Sequence, residues 1–182
     1  MPRRKHSSAV NLGRSNASSE KDFLDLCILL GDLEATKDRA AAESFYDIVL
    51  AQQHPGDAER SEIFARAFYS RGTNRASRGR KQSAIEDFKS AAAISRAIAD
   101  HVRAARAEWA VAKLSGDVPT EMVEALERES PQVRVAAITL YDLDTAAGSA
   151  NILSRRRELS DAYIEKLLSR ARERVAIEDP KN

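Results

Sequence analysis

The chain has 182 residues, 43% of them apolar, which is enough for one domain or a short helical array with a core and excludes a wholly disordered protein. Lys and Arg number 29 against 28 Asp and Glu, so the formal charge is +1 and bulk electrostatics point to neither a nucleic-acid nor a membrane partner. With 31 Ala and 21 Arg against 7 Gly, 5 Pro and 10 aromatic residues, helix formers dominate and strand formers are scarce, which predicts an all-α protein.

Residues 1–19 carry Arg3, Arg4 and Lys5 and are then rich in Ser and Asn, without helical period or apolar run. Such a segment is expected to be a disordered basic tail, and it lacks the apolar stretch of a secretory signal. Beyond it, residues 20–182 read as a single helical domain of about seven or eight helices. The punctuation falls at Gly31-Asp32, at residues 54–57, at Gly79, at Ser115-Gly116, at Ser130-Pro131 and at Gly148. The first helix offers Leu26, Leu29, Leu30 and Leu33 as its buried face, and the second offers Ala42, Phe45, Tyr46 and Val49, so the two are expected to pair antiparallel. Ile63, Phe64, Ala67 and Phe68 begin a third. Ile85, Phe88, Ala91, Ala92 and Ile98 make a fourth, with Ser83 and Glu86 in capping-box spacing at its start. Val102, Ala105, Trp109 and Ala112 give a fifth; Met122, Val123 and Leu126 give a short sixth. Ser130 and Pro131 are the N-cap and first residue of a seventh through Val133, Ala136, Ala137 and Leu140, and the last helix runs through Ile164, Leu167, Leu168, Ala171 and Val175.

No stretch reaches the roughly 20 apolar residues that a membrane span needs; Leu24 to Leu33 is interrupted by Asp25 and Asp32. The lone Cys27 cannot form an internal disulfide, which fits a reducing compartment and predicts a cytoplasmic protein. The near-zero total charge hides blocks: +4 over residues 1–21, −7 over 22–59, +7 over 60–113 and −3 over 114–182. Either acidic and basic helices neutralise one another side by side, or the basic block faces a groove that receives an acidic segment or phosphate.

Residues 65–98 carry Phe68, Arg71-Gly72, Gly79, Ala84, Ile85, Asp87-Phe88 and Ala91. In this pattern small Ala84 and Ala91 sit where two helices approach, Phe88 fills between them, and Gly72 admits the second helix closely. The segment resembles a tetratricopeptide repeat, with weaker repeats at 23–56 and 99–132 and capping helices over 133–178. Residues 130–144 are also locally similar to a HEAT-type helix. The resemblance implies an α-solenoid of antiparallel helix hairpins acting as a non-catalytic adaptor, its concave groove holding a peptide or helix of another protein, with an acidic segment as one candidate. Carried over by position, the groove would present Arg66, Tyr69, Thr73 and Ala76, followed by Arg103 and Ala107; Tyr69 and Thr73 stand where some members place a Lys and Asn carboxylate clamp, so that clamp is not implied. Arg75 and Arg78 depart from the family pattern. With Arg71 they extend an apolar face, which requires either acidic partners from the preceding helices or an anion-accepting pocket.

Catalytic motifs are missing. There is no phosphate-binding glycine loop, no His-Glu-x-x-His, no nucleophile elbow and no Cys pair at zinc spacing. His6, His54 and His101 share no face, Cys27 reads as a small hydrophobe, and Asp142 with Asp144 reads as a solvated helix end. Neither cofactor nor metal nor enzymatic activity is therefore expected. The alternative function is nucleic-acid binding, through the six cations and no acids of residues 66–81, with Arg155 to Arg157 and the N-terminal tail as further contacts.

Overall fold

The computed structural model describes residues 7–53, 60–146 and 161–178, with side chains over 19–53, 60–144 and 161–178. These residues are all helix and turn, without a strand, in eight helices: α1 (Ser7–Glu34), α2 (Arg39–Leu50), α3 (Ser61–Ser77), α4 (Lys81–Ala97), α5 (His101–Ser115), α6 (Thr120–Leu126), α7 (Pro131–Ala146) and α8 (Asp161–Glu178). The expected all-α array of packed neighbouring helices is what forms. No described helix is long and apolar enough to cross a membrane. Contacts divide the chain into two compact units, to either side of Ile94 and Ser95 near the end of α4.

In the first unit, α1 and α2 form a hairpin. Asp38 caps α2 by accepting from the backbone N–H of Ala40 and Ala41 at 2.8 and 3.1 Å, and these two bonds hold its carboxyl below the usual range. The core joins Leu24, Cys27, Ile28, Val49, Ile63, Phe64 and Ala67. Three expectations need correction here. The helix begins at Ser7, so from that residue onward the supposed tail is helical: once a docked helix is nucleated, each further residue adds a hydrogen bond at little cost. Gly31 does not end α1 but lies inside it, where a Cβ would stand 2.6 Å from the Tyr46 ring, so this glycine is a packing device. The buried face is Leu24, Cys27 and Ile28, whereas Leu26, Leu29, Leu30 and Leu33 are 40–58% exposed.

The second hairpin repeats the device of the first. Gly72 of α3 lies against the Phe88 ring of α4, a Cβ there being 3.1 Å from it, as the repeat resemblance implies. Gly79, at φ +74°, ends α3, and Arg80 N–H bonds back to Arg75 C=O at 2.9 Å. The α4 helix starts at Lys81, so Ser83 lies within its first turn and the expected capping box is not its N-terminus. Two residues of slack in the turn after Gly79 suffice for the shift.

In the second unit, α5 to α8 enclose Trp109, Met122, Leu126, Val133, Ala137, Tyr141, Ile164, Leu167, Leu168 and Ala171. Asp100 caps α5 through Arg103 N–H at 3.0 Å, Gly116 at φ +75° ends it, and Ser130 Oγ accepts from Val133 N–H at 3.3 Å, as its position before Pro131 predicts. Asp144, expected at a solvated helix end, is only partly solvated. It accepts from Tyr163 Oη at 3.2 Å and Arg170 Nη1 at 2.9 Å, tying α7 to α8, because α8 packs along the helix that carries it.

Candidate functional site

The arginine-rich face of α3 is a set of ion pairs closed within the first unit. Arg71 grips Asp87 with two parallel bonds, Nε to Oδ2 at 3.1 Å and Nη2 to Oδ1 at 2.7 Å, and reaches Asp47 of α2 with Nη1 at 2.6 Å. Arg75 bridges Asp87 at 3.0 Å and Glu43 at 2.8 Å; Arg78 and Arg80 also meet Glu43. Asp87 and Glu43 are buried, at 3% and 9% exposure. Of the two readings that the sequence leaves open for Arg71, Arg75 and Arg78, acidic partners are the one realised, but only Glu43 and Asp47 come from a preceding helix, whereas Asp87, shared by Arg71 and Arg75, lies on the following helix α4. Burial works to lower the already high pKa of Arg71, but the hydrogen bonds it donates to Asp87 and Asp47 outweigh this and raise it, so it stays charged at any physiological pH.

The face expected to line a groove is similarly engaged. Arg66 pairs with Asp25 of α1 at 2.6 Å, and both are about one-third exposed. Tyr69 sets its ring edge-on to Phe88, centroids 5.3 Å apart, so it is anchored in the α3–α4 contact. Thr73 is exposed, and its hydroxyl donates to Tyr69 C=O at 3.0 Å. These three lie along one side of α3. Arg103 belongs to α5 in the second unit, where its guanidinium meets Asp100 at 2.9 Å.

The second unit contains an open cleft of about 850 Å³. Its apolar floor is Val102 and Ala105 of α5, Val135 and Ala136 of α7, and Val175 of α8. Val102, which the sequence places in the core, is 41% exposed there. The rim carries paired ions: Arg96 with Glu108, and Arg174 with Glu178 at 3.0 Å. Arg103 does not line the cleft; its neighbours His101, Val102 and Ala105 do. The period of α5 gives both possibilities, and the position of α7 decides between them.

Cys27 is buried and its thiol pKa is raised by burial, as suits a small hydrophobe and not a nucleophile. His101 is exposed at the start of α5; His6 and His54, the N-terminal basic residues and Arg155 to Arg157 lie outside the described residues. Among the described residues no three His, Cys, Asp or Glu converge on a metal-sized site. Compared with known proteins, the chain matches no family model, no curated protein and no solved structure.

Proposed function

We propose that the chain is a non-catalytic protein-interaction module, built of helix hairpins resembling tetratricopeptide repeats, that holds a short segment of another protein in a groove between helices. The observation that carries this reading is the cleft of the second unit, where α5, α7 and α8 leave an apolar floor open to solvent. Val102, Val135 and Val175 offer aliphatic surface, which suits an apolar anchor side chain. Arg96 and Arg174 at the rim already face carboxylates, so the anchor and not an acidic segment supplies the affinity. The nucleic-acid alternative draws little support from residues 66–81, because five of their six cations are engaged by Asp25, Asp47, Asp87 and Glu43.

The test is affinity capture from host lysate with the full chain, after nuclease treatment and through rising salt, repeated with Val102→Glu. A defined protein retained by the natural chain and lost with the variant, at unchanged helicity, is the expected result. Equal retention by the variant removes the cleft from the reading. Loss of all captured material on nuclease treatment transfers the function to nucleic acid.

A further inference from the structure

The α1 helix is apolar on two opposite faces between Phe23 and Leu33. Leu24, Cys27 and Ile28 are buried at 4% exposure or less, while Phe23, Leu26, Leu29, Leu30 and Leu33 are 53, 51, 58, 40 and 58% exposed. A contiguous exposed apolar stripe of this kind marks an interaction surface. The described residues of the first unit cover only the inner side.

We propose that the outer face of α1 is a self-association surface, on which α1 of a second copy of this chain packs antiparallel across a two-fold axis. Three observations select that occupant. The first is spacing: Phe23, Leu26, Leu30 and Leu33 follow the three-four-three interval of a coiled-coil seam, with Leu29 flanking it. The second is self-complementarity. In an antiparallel pair centred beside Ile28, Phe23 meets Leu33 of the second copy, Leu26 meets Leu30, and Leu29 meets its own counterpart next to the axis. Each contact is thus returned by the reciprocal one, as an isologous interface requires, and every exposed apolar side chain of the stripe finds a counterpart. A parallel pair would instead set Leu29 against the carboxylate of Glu34.

The third is area and charge. Five large side chains about half exposed offer on the order of 500 Å² per copy, so that pairing buries about 1,000 Å² in total, where specific interfaces begin. The acids of α1 do not oppose it: Glu20 is held by Arg60 at 2.6 Å, Asp25 by Arg66 at 2.6 Å, and Asp32 accepts from Tyr46 Oη at 2.8 Å. In the antiparallel register Asp22 falls opposite Thr36, and Glu34 falls opposite the Glu20 that Arg60 neutralises.

Sedimentation equilibrium of the full chain over a micromolar to hundred-micromolar series tests the pairing. The expected mass is twice 20.1 kDa at the upper end. Leu26→Glu should return the monomer with unchanged far-UV circular dichroism, since that side chain is 51% exposed and is not among the buried core residues. Leu26→Glu combined with Leu30→Lys should restore the dimer, because the antiparallel register sets each new charge against its opposite in the second copy, whereas a parallel register sets like against like. A natural chain that stays at 20.1 kDa throughout, or a dimer that Leu26→Glu leaves intact, overturns the proposal. A combined variant that stays monomeric overturns the antiparallel register. Monomers that instead bind a basic, leucine-rich helical peptide give the face to a different partner and also overturn it. Val102→Glu lies outside this face, so failure here leaves the cleft reading standing.

Discussion

Replacing Asp87 by Ala removes the carboxylate at the centre of the first unit's ion network and leaves Arg71 and Arg75, 15 and 18% exposed, without their shared partner. Breaking a buried ion pair by deleting one member costs about 3–5 kcal/mol, because a charge is left in low dielectric without compensation. Arg71 keeps Asp47 and Arg75 keeps Glu43, so the lower end applies and Asp87→Ala should cost about 3 kcal/mol. For a chain of this length that corresponds to a fall in melting temperature of roughly 6–12 °C. Urea titration followed by far-UV circular dichroism measures the loss, with Lys113→Ala as the comparison. The Lys113 and Glu127 side chains are 52 and 45% exposed, and their pair should contribute no more than about 1 kcal/mol. High salt should abolish the Lys113 effect and leave that of Asp87 largely intact. The triple variant Asp87→Leu, Arg71→Met, Arg75→Met should recover most of the stability, since apolar side chains of similar size can replace a buried network. An Asp87→Ala loss no larger than that of Lys113→Ala would refute the view that this carboxylate clamps α3 to α4.

The glycine contacts and the α7–α8 tie give two further tests. Gly31→Ala should cost about 2–3 kcal/mol, since the new methyl must displace the Tyr46 ring 2.6 Å away, and Gly72→Ala should cost about 1 kcal/mol, because Phe88 at 3.1 Å needs to yield only slightly; urea midpoints in the reverse order would contradict the packing described. Tyr163 is pushed up to about 12 by burial and then by the carboxylate of Asp144. Its folded value thus exceeds the ordinary value of about 10 for a tyrosine, so the stability it contributes is complete below pH 10 and is lost as pH rises toward 12. The melting-temperature difference between the natural chain and Tyr163→Phe should accordingly shrink across that interval, and a difference independent of pH would sink the assignment.

Helix number and order were legible because Gly79, Gly116 and Ser130-Pro131 are local signals whose physics does not depend on the rest of the fold. Gly72 was legible for a different reason: its spacing to Phe88 is that of a hairpin contact, and the structure places the two in contact. Gly31 and Tyr46 make the same contact, yet Gly31 followed by Asp32 reads as a turn, and only the ring lying over it shows otherwise. That Arg71 and Arg75 need a negative partner followed from cost, since a guanidinium directed at a core must meet either a protein carboxylate or a bound anion. Which acids they meet depends on how α2 and α4 lie against α3, and no period encodes that.

The α1 helix shows where such reading stops. Periodicity identifies a buried face by contrast with a polar one, and from Phe23 to Leu33 that contrast is weak. Leu26, Leu29, Leu30 and Leu33 form the denser stripe, so pattern alone selects them for the core. The chain instead turns Leu24, Cys27 and Ile28 inward because Gly31 lies on that side, and only there can the Tyr46 ring approach the α1 backbone. One residue without a side chain thereby decides which stripe the hairpin buries, and the leucine-rich stripe is left outside as a consequence. If burial in the monomer alone accounted for this sequence, the outer positions would carry the polar residues that an exposed helix face carries. Four leucines and a phenylalanine stand there instead, which the proposed pairing of two copies through the outer face of α1 would account for.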